Sequence, residues 1–311
     1  MRRRAVVPTT TTSGTEPLSA TRVRRFQRRV LEWGAEHRRD LPWRATRDPW
    51  RILVSEVMLQ QTQVDRVVGY YDAFLAAFPT PGHCARARSG DVVRLWSGLG
   101  YNRRALNLHR AAVTVAHEHG GALPADERAL RTLAGVGPYT ARAVQAFAFE
   151  LDVAPVDTNV ARILARCVTG AGVTIGEAQT VADRLLPAGR SWEFNQAMFD
   201  LGATICTATR PACGVCPLRH QCRWRRRGLT DPDPWRASPA VRPQSQFAGS
   251  DREGRGRLVN ALRQGGVSRG MLPTACGWPD DRPRAQRIAD ALVAEGFAQW
   301  STGRWPQLQL Y

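Results

Sequence analysis

The sequence predicts a mainly α-helical protein, with a helical body over residues 21–227 and a small winged-helix-like module over 247–311, joined by a Pro-rich linker at 228–246. Three observations predict this. Apolar residues recur every three to four positions through much of 22–224, and no period-two alternation appears there. Residues 228–246, GLTDPDPWRASPAVRPQSQ, show little periodicity and have the composition of a linker. Three helical stretches follow, and then FAQWSTGRWPQLQLY, two alternating segments around a Thr-Gly turn.

Taken in order, residues 1–20 are basic but lack the apolar run of ~7–15 residues of a secretory signal, so they read as a disordered tail of a cytosolic chain. VDRVVGYYDAFLAAF (64–78) and DVVRLW (91–96) carry helical periodicity. Thr62 with Asp65 resembles a capping box, and Ser89 with Asp91 and the 124–127 segment resemble further helix starts. In the module, helices are expected at 251–263, 268–276 and 283–295. No apolar segment approaches the ~20 residues of a membrane helix, so no membrane partner is expected.

The formal charge is +17, with 44 basic residues against 27 acidic ones. Such an excess points to a polyanion, most simply nucleic acid. All 44 basic residues are arginine. No side chain therefore carries a primary amine, which excludes Schiff-base chemistry through lysine.

Four of the seven cysteines crowd together as Cys206-x6-Cys213-x2-Cys216-x5-Cys222. In a cytosolic chain this is a metal site rather than a disulfide framework. Zinc sites usually pair two short hooks, whereas here there is one, and four thiolates without histidine also suit a [4Fe-4S] cube. Cys84, Cys167 and Cys276 read as core or surface thiols.

LAGVGPYTARAV (133–144) places Gly135, Val136 and Gly137 before a helix that starts at Pro138. The glycines allow close approach of the backbone, and the helix start offers free N–H groups to an anion; a plain inter-helix turn fits equally well. In VAPVDTNVARILARC, Asp157 stands at the start of an amphipathic helix, where backbone N–H donors favour a carboxylate; capping alone would also explain it. Glu56, by contrast, lies inside the apolar run ILVSEVML and is followed by Gln60, Gln61 and Gln63. A carboxyl buried in such a setting is held neutral unless it is paired.

Together, SEVMLQQTQV, LPWR (41–44), GLGYNRRALNLH (98–109), L-x-G-V-G-x-x-T-A, VDTNVARILAR, FNQAMFDLGATIC (194–206) and the cysteine array resemble the MutY-type adenine DNA glycosylases of the helix-hairpin-helix–Gly/Pro/Asp superfamily. The resemblance implies a two-lobed helical DNA glycosylase fold and a [4Fe-4S] cluster on Cys206, Cys213, Cys216 and Cys222. It implies a substrate of adenine opposite 8-oxoguanine or guanine in double-stranded DNA, and a protein acting as a monomer. By the same resemblance Glu56 is the acid that protonates adenine, Asp157 the anion that meets the sugar cation, and Asn159 a hydrogen-bond partner near Asp157. Tyr139 takes the position of the lysine found in lyase-competent relatives, so base release without strand cleavage is expected. Leu59 and Gln61 fall where the family wedges the duplex at the flipped adenine, Tyr101 falls where it stacks beside the opposite purine, and Tyr101 with the Gln60–Gln61 pair is left to recognise 8-oxoguanine. Gly135, Val136, Gly137 and Thr140 form the phosphate hairpin, and Arg44 and Gln196 match positions that contact adenine. Family members commonly add a Nudix-related domain, for which residues 225–311 are too short and too helical. The small module is instead expected to bind duplex or phosphate, or to serve as a cap or protein contact. Thr158 stands where the family often has glycine. Two other readings stay open: the same fold with thymine or oxidised-pyrimidine specificity, and a non-catalytic iron–sulfur DNA-binding protein.

Overall fold

The computed structural model describes residues 18–228, 233–239 and 246–311. Residues 1–17 of the expected tail and parts of the expected linker lie outside them, whereas Ser19 and Ala20, also expected in the tail, begin the first helix. Within the described residues the chain forms two compact units, one from Met1–Arg38, Thr158–Pro187 and Gln196–Val241, the other from Arg39–Asp157, Ala188–Asn195 and Arg242–Tyr311. No helix among the described residues is long and apolar enough to cross a membrane.

Helix α1 (Ala20–His37) starts where the Ser19 side chain accepts from the Arg22 N–H, and it buries Phe26, Val30, Trp33 and Gly34 along one face. Helix α2 (Pro49–Leu59) is capped by Asp48, whose Oδ1 accepts from Trp50 N at 2.8 Å and Arg51 N at 3.1 Å. Every residue from Ile52 to Met58 is buried. A helix apolar on all sides is a core helix, and α2 packs against α3 (Val64–Ala77), α6 (Arg103–Glu118) and α8 (Pro138–Phe147). Between these run α4 (Pro81–Arg86), α5 (Ser89–Leu95) and α7 (Glu127–Leu130).

In the first unit, α9 (Thr158–Ile163) continues through a widened turn, Leu164–Thr169, to Gly170 at φ 68°. Next comes α10 (Ile175–Leu185), opened by a true capping box between Thr174 and Glu177. Then α11 (Ser191–Asp200), whose residues to Asn195 belong to the second unit, runs into a second widened turn, Leu201–Ile205, just before Cys206, and α12 (Arg223–Arg226) follows Cys222.

The C-terminal module runs α13 (Asp251–Gln264), β1 (Val267–Ser268), α14 (Leu272–Cys276), α15 (Arg282–Ala294), β2 (Ala298–Trp300) and β3 (Gln307–Leu310). Its antiparallel sheet has the order β1-β3-β2, with Val267 opposite Leu308 and Ala298 opposite Leu310. This is winged-helix topology. Within its own unit the module is seated on the helical body. Gly90 N–H donates to the Tyr311 carbonyl at 2.9 Å, and Arg263 donates to the Val93 carbonyl at 3.1 Å and Asn102 Oδ1 at 2.8 Å. Arg110 donates to the Glu295 carbonyl at 2.6 Å. A Cβ at residue 90 would lie 2.3 Å from the Tyr311 carbonyl oxygen, so only glycine allows this contact.

Three local expectations change. Thr62 does not cap α3; Gln63 precedes the helix without a side-chain cap, and Thr62 Oγ1 instead accepts from Arg104 at 3.0 Å. The helix expected at 268–276 splits into strand β1, a 3-10 turn at Arg269–Met271, and α14. The described stretch 233–239 of the Pro-rich segment is pinned down. Asp233 receives two hydrogen bonds from buried Arg166, at 2.8 and 2.5 Å, while Trp235 and Ser238 are buried.

Candidate active site

Glu56 is 5% exposed on α2, between Ser55 and Val57. Its Oε2 accepts a hydrogen bond from the Tyr139 hydroxyl on α8 at 2.9 Å. Burial pushes its carboxyl up to about 7; the Tyr139 hydrogen bond opposes this, the charge of Asp157 adds to it, and the charge of Arg44 opposes it. Tyr139 is itself pushed well above 10, chiefly by burial and then by Glu56 and Asp157, so it remains a neutral donor. Glu56, Tyr139, Asp157 and Arg44 thus meet in one electrostatic site within one unit.

Each partner is held by its own local structure. Arg44 is buried in the 3-10 turn Pro42–Arg44 and donates to the Arg39 carbonyl at 2.9 Å. Trp43 is core, edge-on to Tyr71 at 5.5 Å. Asp157 is half-buried at the end of an extended segment in which Ala154 and Val156 are buried. The Val153 carbonyl on that segment receives Asn195 Nδ2 at 2.9 Å and Ser191 Oγ at 3.2 Å. Sequence reading quoted the FNQ motif but gave Asn195 no role; its position beside Gln196 was the available signal. Gln196 and Asn159 belong to the other unit, where Gln196 is buried and Asn159 Oδ1 accepts from Arg162 at 2.6 Å. Arg162 also donates to the Cys206 carbonyl at 2.6 Å, which ties the start of α9 to the cysteine loop.

Leu59 and Gln60 are half-buried at the end of α2, and Gln61 is exposed just beyond it. Gln61 (φ 56°) and Tyr101 (φ 45°) adopt left-handed backbone, which is uncommon without glycine and costs about 1 kcal/mol or more. Gln61 is expected to wedge the duplex and Tyr101 to stack beside the opposite purine, and Tyr101 is 46% exposed. Arg104 joins these segments. Its Nη1 donates to the carbonyls of Val57, Met58 and Gln60 at 2.9, 2.7 and 2.6 Å. Its Nη2 reaches Thr62 Oγ1 at 3.0 Å and the Leu99 and Gly100 carbonyls at 3.1 Å. Sequence reading missed this residue, because its partners lie more than forty positions away on one side.

In the hairpin, Gly135 has φ 80°, and a Cβ there would stand 2.9 Å from Asn107 Cβ. Gly135 and Gly137 are exposed before the first turn of α8, an arrangement suited to an anion. Val136 and Thr140 are buried instead, and the Thr140 hydroxyl accepts from Gln60 Nε2 at 3.4 Å.

Residues 54–177 match the model of the HhH-GPD superfamily base excision DNA repair proteins, and residues 206–222 match the iron–sulfur binding domain of endonuclease III. The adenine DNA glycosylase of Mycolicibacterium smegmatis is 41% identical over 283 residues, 89% of this chain and 94% of that protein. The adenine DNA glycosylase of Mycobacterium tuberculosis is 43% identical over 86% of this chain and 88% of its own length. This chain belongs to the adenine DNA glycosylase family. The human adenine DNA glycosylase is 41% identical over 65% of this chain and 40% of its own length. Among solved structures, a thermostable thymine-DNA glycosylase covers 67% of this chain with a TM-score of 0.63 and 30% identity. An endonuclease III–DNA complex, at 22% identity and a TM-score of 0.61, shares the fold.

The cofactor of this family member is a [4Fe-4S] cluster, and the cysteine loop fits it. Cys206, Cys213, Cys216 and Cys222 line a single cavity walled by Ile163, Leu201, Leu218 and Trp224. Four thiolates with no histidine among them suit such a cube. Arg166 donates to Cys206 Sγ at 3.5 Å and to the Thr207 and Ala208 carbonyls at 2.7 and 3.0 Å, shaping the loop from inside. Cys84 and Cys276 are core thiols, whereas buried Cys167 also lines the cluster cavity.

Proposed function

We propose that this protein hydrolyses the N-glycosidic bond of adenine mispaired with 8-oxoguanine or guanine in duplex DNA, acting as a monomer on cytoplasmic, nucleoid DNA. The observation that carries the reading is the Glu56 carboxyl, buried, hydrogen-bonded to Tyr139 and raised to about 7 beside a second carboxylate. A group at that value is about half protonated near neutral pH and can give its proton up or take one back. It donates to N7 of an adenine turned out of the stack, making the base a neutral leaving group. As the C1′–N9 bond breaks, positive charge grows on the sugar, and Asp157 supplies the compensating anion. Water then completes the hydrolysis with Glu56 as the base. Arg44 limits the rise of Glu56 and faces the adenine. Leu59 and Gln61 fill the space the base vacates, Tyr101 stacks beside the opposite purine with Gln60 near it, and the 135–137 loop holds a backbone phosphate. Cys206, Cys213, Cys216 and Cys222 ligate the cluster, whose chemistry here is structural cross-linking of the loop.

Because the chain holds no lysine, the abasic strand is left intact. The test is a denaturing gel of duplexes with A opposite 8-oxoguanine, A opposite G, and T opposite G. Strand breaks after alkali, only on the adenine duplexes, are expected. Breaks before alkali would defeat the monofunctional reading, and cleavage of the T:G duplex alone would transfer the protein to thymine specificity.

A further inference from the structure

Cys167 is 4% exposed and lines the same cavity as the four cluster cysteines, yet the chemistry described so far gives it no task. A buried thiol is usually a small apolar filler. Cys84 and Cys276 fit that role, since neither lines this cavity. Cys167 differs in what it faces. Its S–H donates a hydrogen bond to the sulfur of Cys222.

The local backbone accounts for the placement. Arg166 and Cys167 are consecutive on the widened turn Leu164–Thr169. In a regular α-helix of 3.6 residues per turn, neighbouring side chains diverge by about 100°. Here both line one cavity, and each donates to a different cysteine of the loop. Arg166 Nη1 reaches Cys206 Sγ at 3.5 Å, and Cys167 reaches Cys222. Widened turns of this kind recur at functional sites.

Cys222 has a use for the donor. Its Sγ stands 3.5 Å from the Arg166 carbonyl oxygen. A thiolate bound to iron has no proton to give, so that oxygen repels it. The N–H groups of Trp224 and Arg225, at the start of α12, offset part of this charge. The Cys167 thiol adds a third donor from the widened turn. Hydrogen bonds to ligand sulfurs draw charge from the metal, which favours the state with one more electron and raises the reduction potential.

We propose that Cys167 acts on the cofactor through Cys222 as a positioning residue: its S–H bond to the Cys222 thiolate raises the reduction potential of the cluster and guards it against one-electron oxidation. In that oxidation the cluster gives one electron to an acceptor such as ferricyanide, which becomes ferrocyanide. Cys167 keeps its proton and forms no bond to iron. The inference rests on the assignment of Cys206, Cys213, Cys216 and Cys222 as ligands.

The test uses full-length holoprotein as wild type, Cys167→Ala and Cys167→Ser. Iron and sulfide per chain and the melting temperature are measured first. The cluster is then titrated with ferricyanide at poised potentials and followed by its absorbance. Cys167→Ala should move the oxidised-to-reduced ratio at a fixed potential about tenfold toward the oxidised form, the scale of one hydrogen bond to a charged group. For one electron that is a downward shift of about 59 mV. Cys167→Ser keeps a donor at nearly the same volume and should stay close to the wild type. Bleaching by excess ferricyanide should be fastest in Cys167→Ala. A thiol that only fills space would change the melting temperature and leave the potential alone, and that result would overturn the inference. Equal shifts in Cys167→Ala and Cys167→Ser would overturn it as well. So would variants that load fewer than four irons when the wild type loads four, since Cys167 would then belong to cluster assembly. A wild type with fewer than four irons would defeat the ligand assignment and this inference together, whereas a fully loaded protein indifferent to residue 167 defeats the inference alone.

Discussion

Two buried ionisable groups, Glu56 on α2 and Arg104 reaching the end of α2 from α6, are treated in opposite ways. Glu56 has one hydrogen-bonding hydroxyl, at 2.9 Å, and aliphatic neighbours, and its carboxyl rises to about 7. The guanidinium of Arg104, beneath the end of the same helix, meets six oxygen acceptors between 2.6 and 3.1 Å. Burial lowers it only to about 10, so it stays a cation. A buried charge whose two terminal nitrogens meet six acceptors is structure. One left under-solvated costs stability and persists where that cost gives a reactive proton.

The largest effect should come from Glu56→Gln. It removes the titratable proton and should lower the single-turnover rate by ~10³-fold or more, as for loss of a general acid that also activates water. The same change should stabilise the fold. Glu56 has a folded value of about 7 against 4.5 when unfolded. Between those values the folded state keeps a proton that the unfolded state has released, so stability falls as pH rises through that window and stays reduced above it. The gain in Glu56→Gln should thus be near zero at pH 4 and reach roughly 3 kcal/mol above pH 7. Melting curves at the two pH values test it; a gain independent of pH would contradict the assignment.

Arg104→Met should be the reverse case, a loss of fold. It strands several carbonyl oxygens and should cost about 3–5 kcal/mol in denaturant unfolding. A cost below 1 kcal/mol would show the staple to be dispensable. Tyr139→Phe is more subtle. Its hydroxyl favours the Glu56 carboxylate, so removing it should carry the high-pH limb of the rate profile upward, by roughly one pH unit. A limb that stays in place or moves down would deny Tyr139 a part in setting the acid. The smallest effect should be Arg88→Ala. Arg88 pairs with Asp91 at 3.1 Å in open solvent, and such pairs contribute about 0.5 kcal/mol or less. A larger loss of stability would blur the contrast between exposed and buried charges.

The same contrast explains what could be read early. Glu56 was legible because a lone carboxylate in an aliphatic run is anomalous without any fold, and Asp157 because proline and a helix start frame it. The four cysteines were legible because ligand spacing is local. Arg104 was one arginine among 44, and nothing in its own neighbourhood sets it apart. The left-handed backbone at Gln61 and Tyr101 was equally hidden, since neither residue type demands it. Strand β1 is two residues long and exists only because β3, forty positions on, pairs with it. Asp233 lay in a segment of linker composition until Arg166 claimed it.

From sequence alone came the helical body, the module with its hairpin, the two carboxylates, the cysteine loop and the absence of any Schiff-base lysine, because periodicity, spacing and residue chemistry act over a few positions. Tertiary structure alone decided which buried ionisable group is richly hydrogen-bonded and which is left under-solvated. It also decided that Arg104 staples the segments of Gln61 and Tyr101 together, and that the module lies beside Tyr101. Each of those depends on the solvation and partners of a group, which distant parts of the chain supply only once folded.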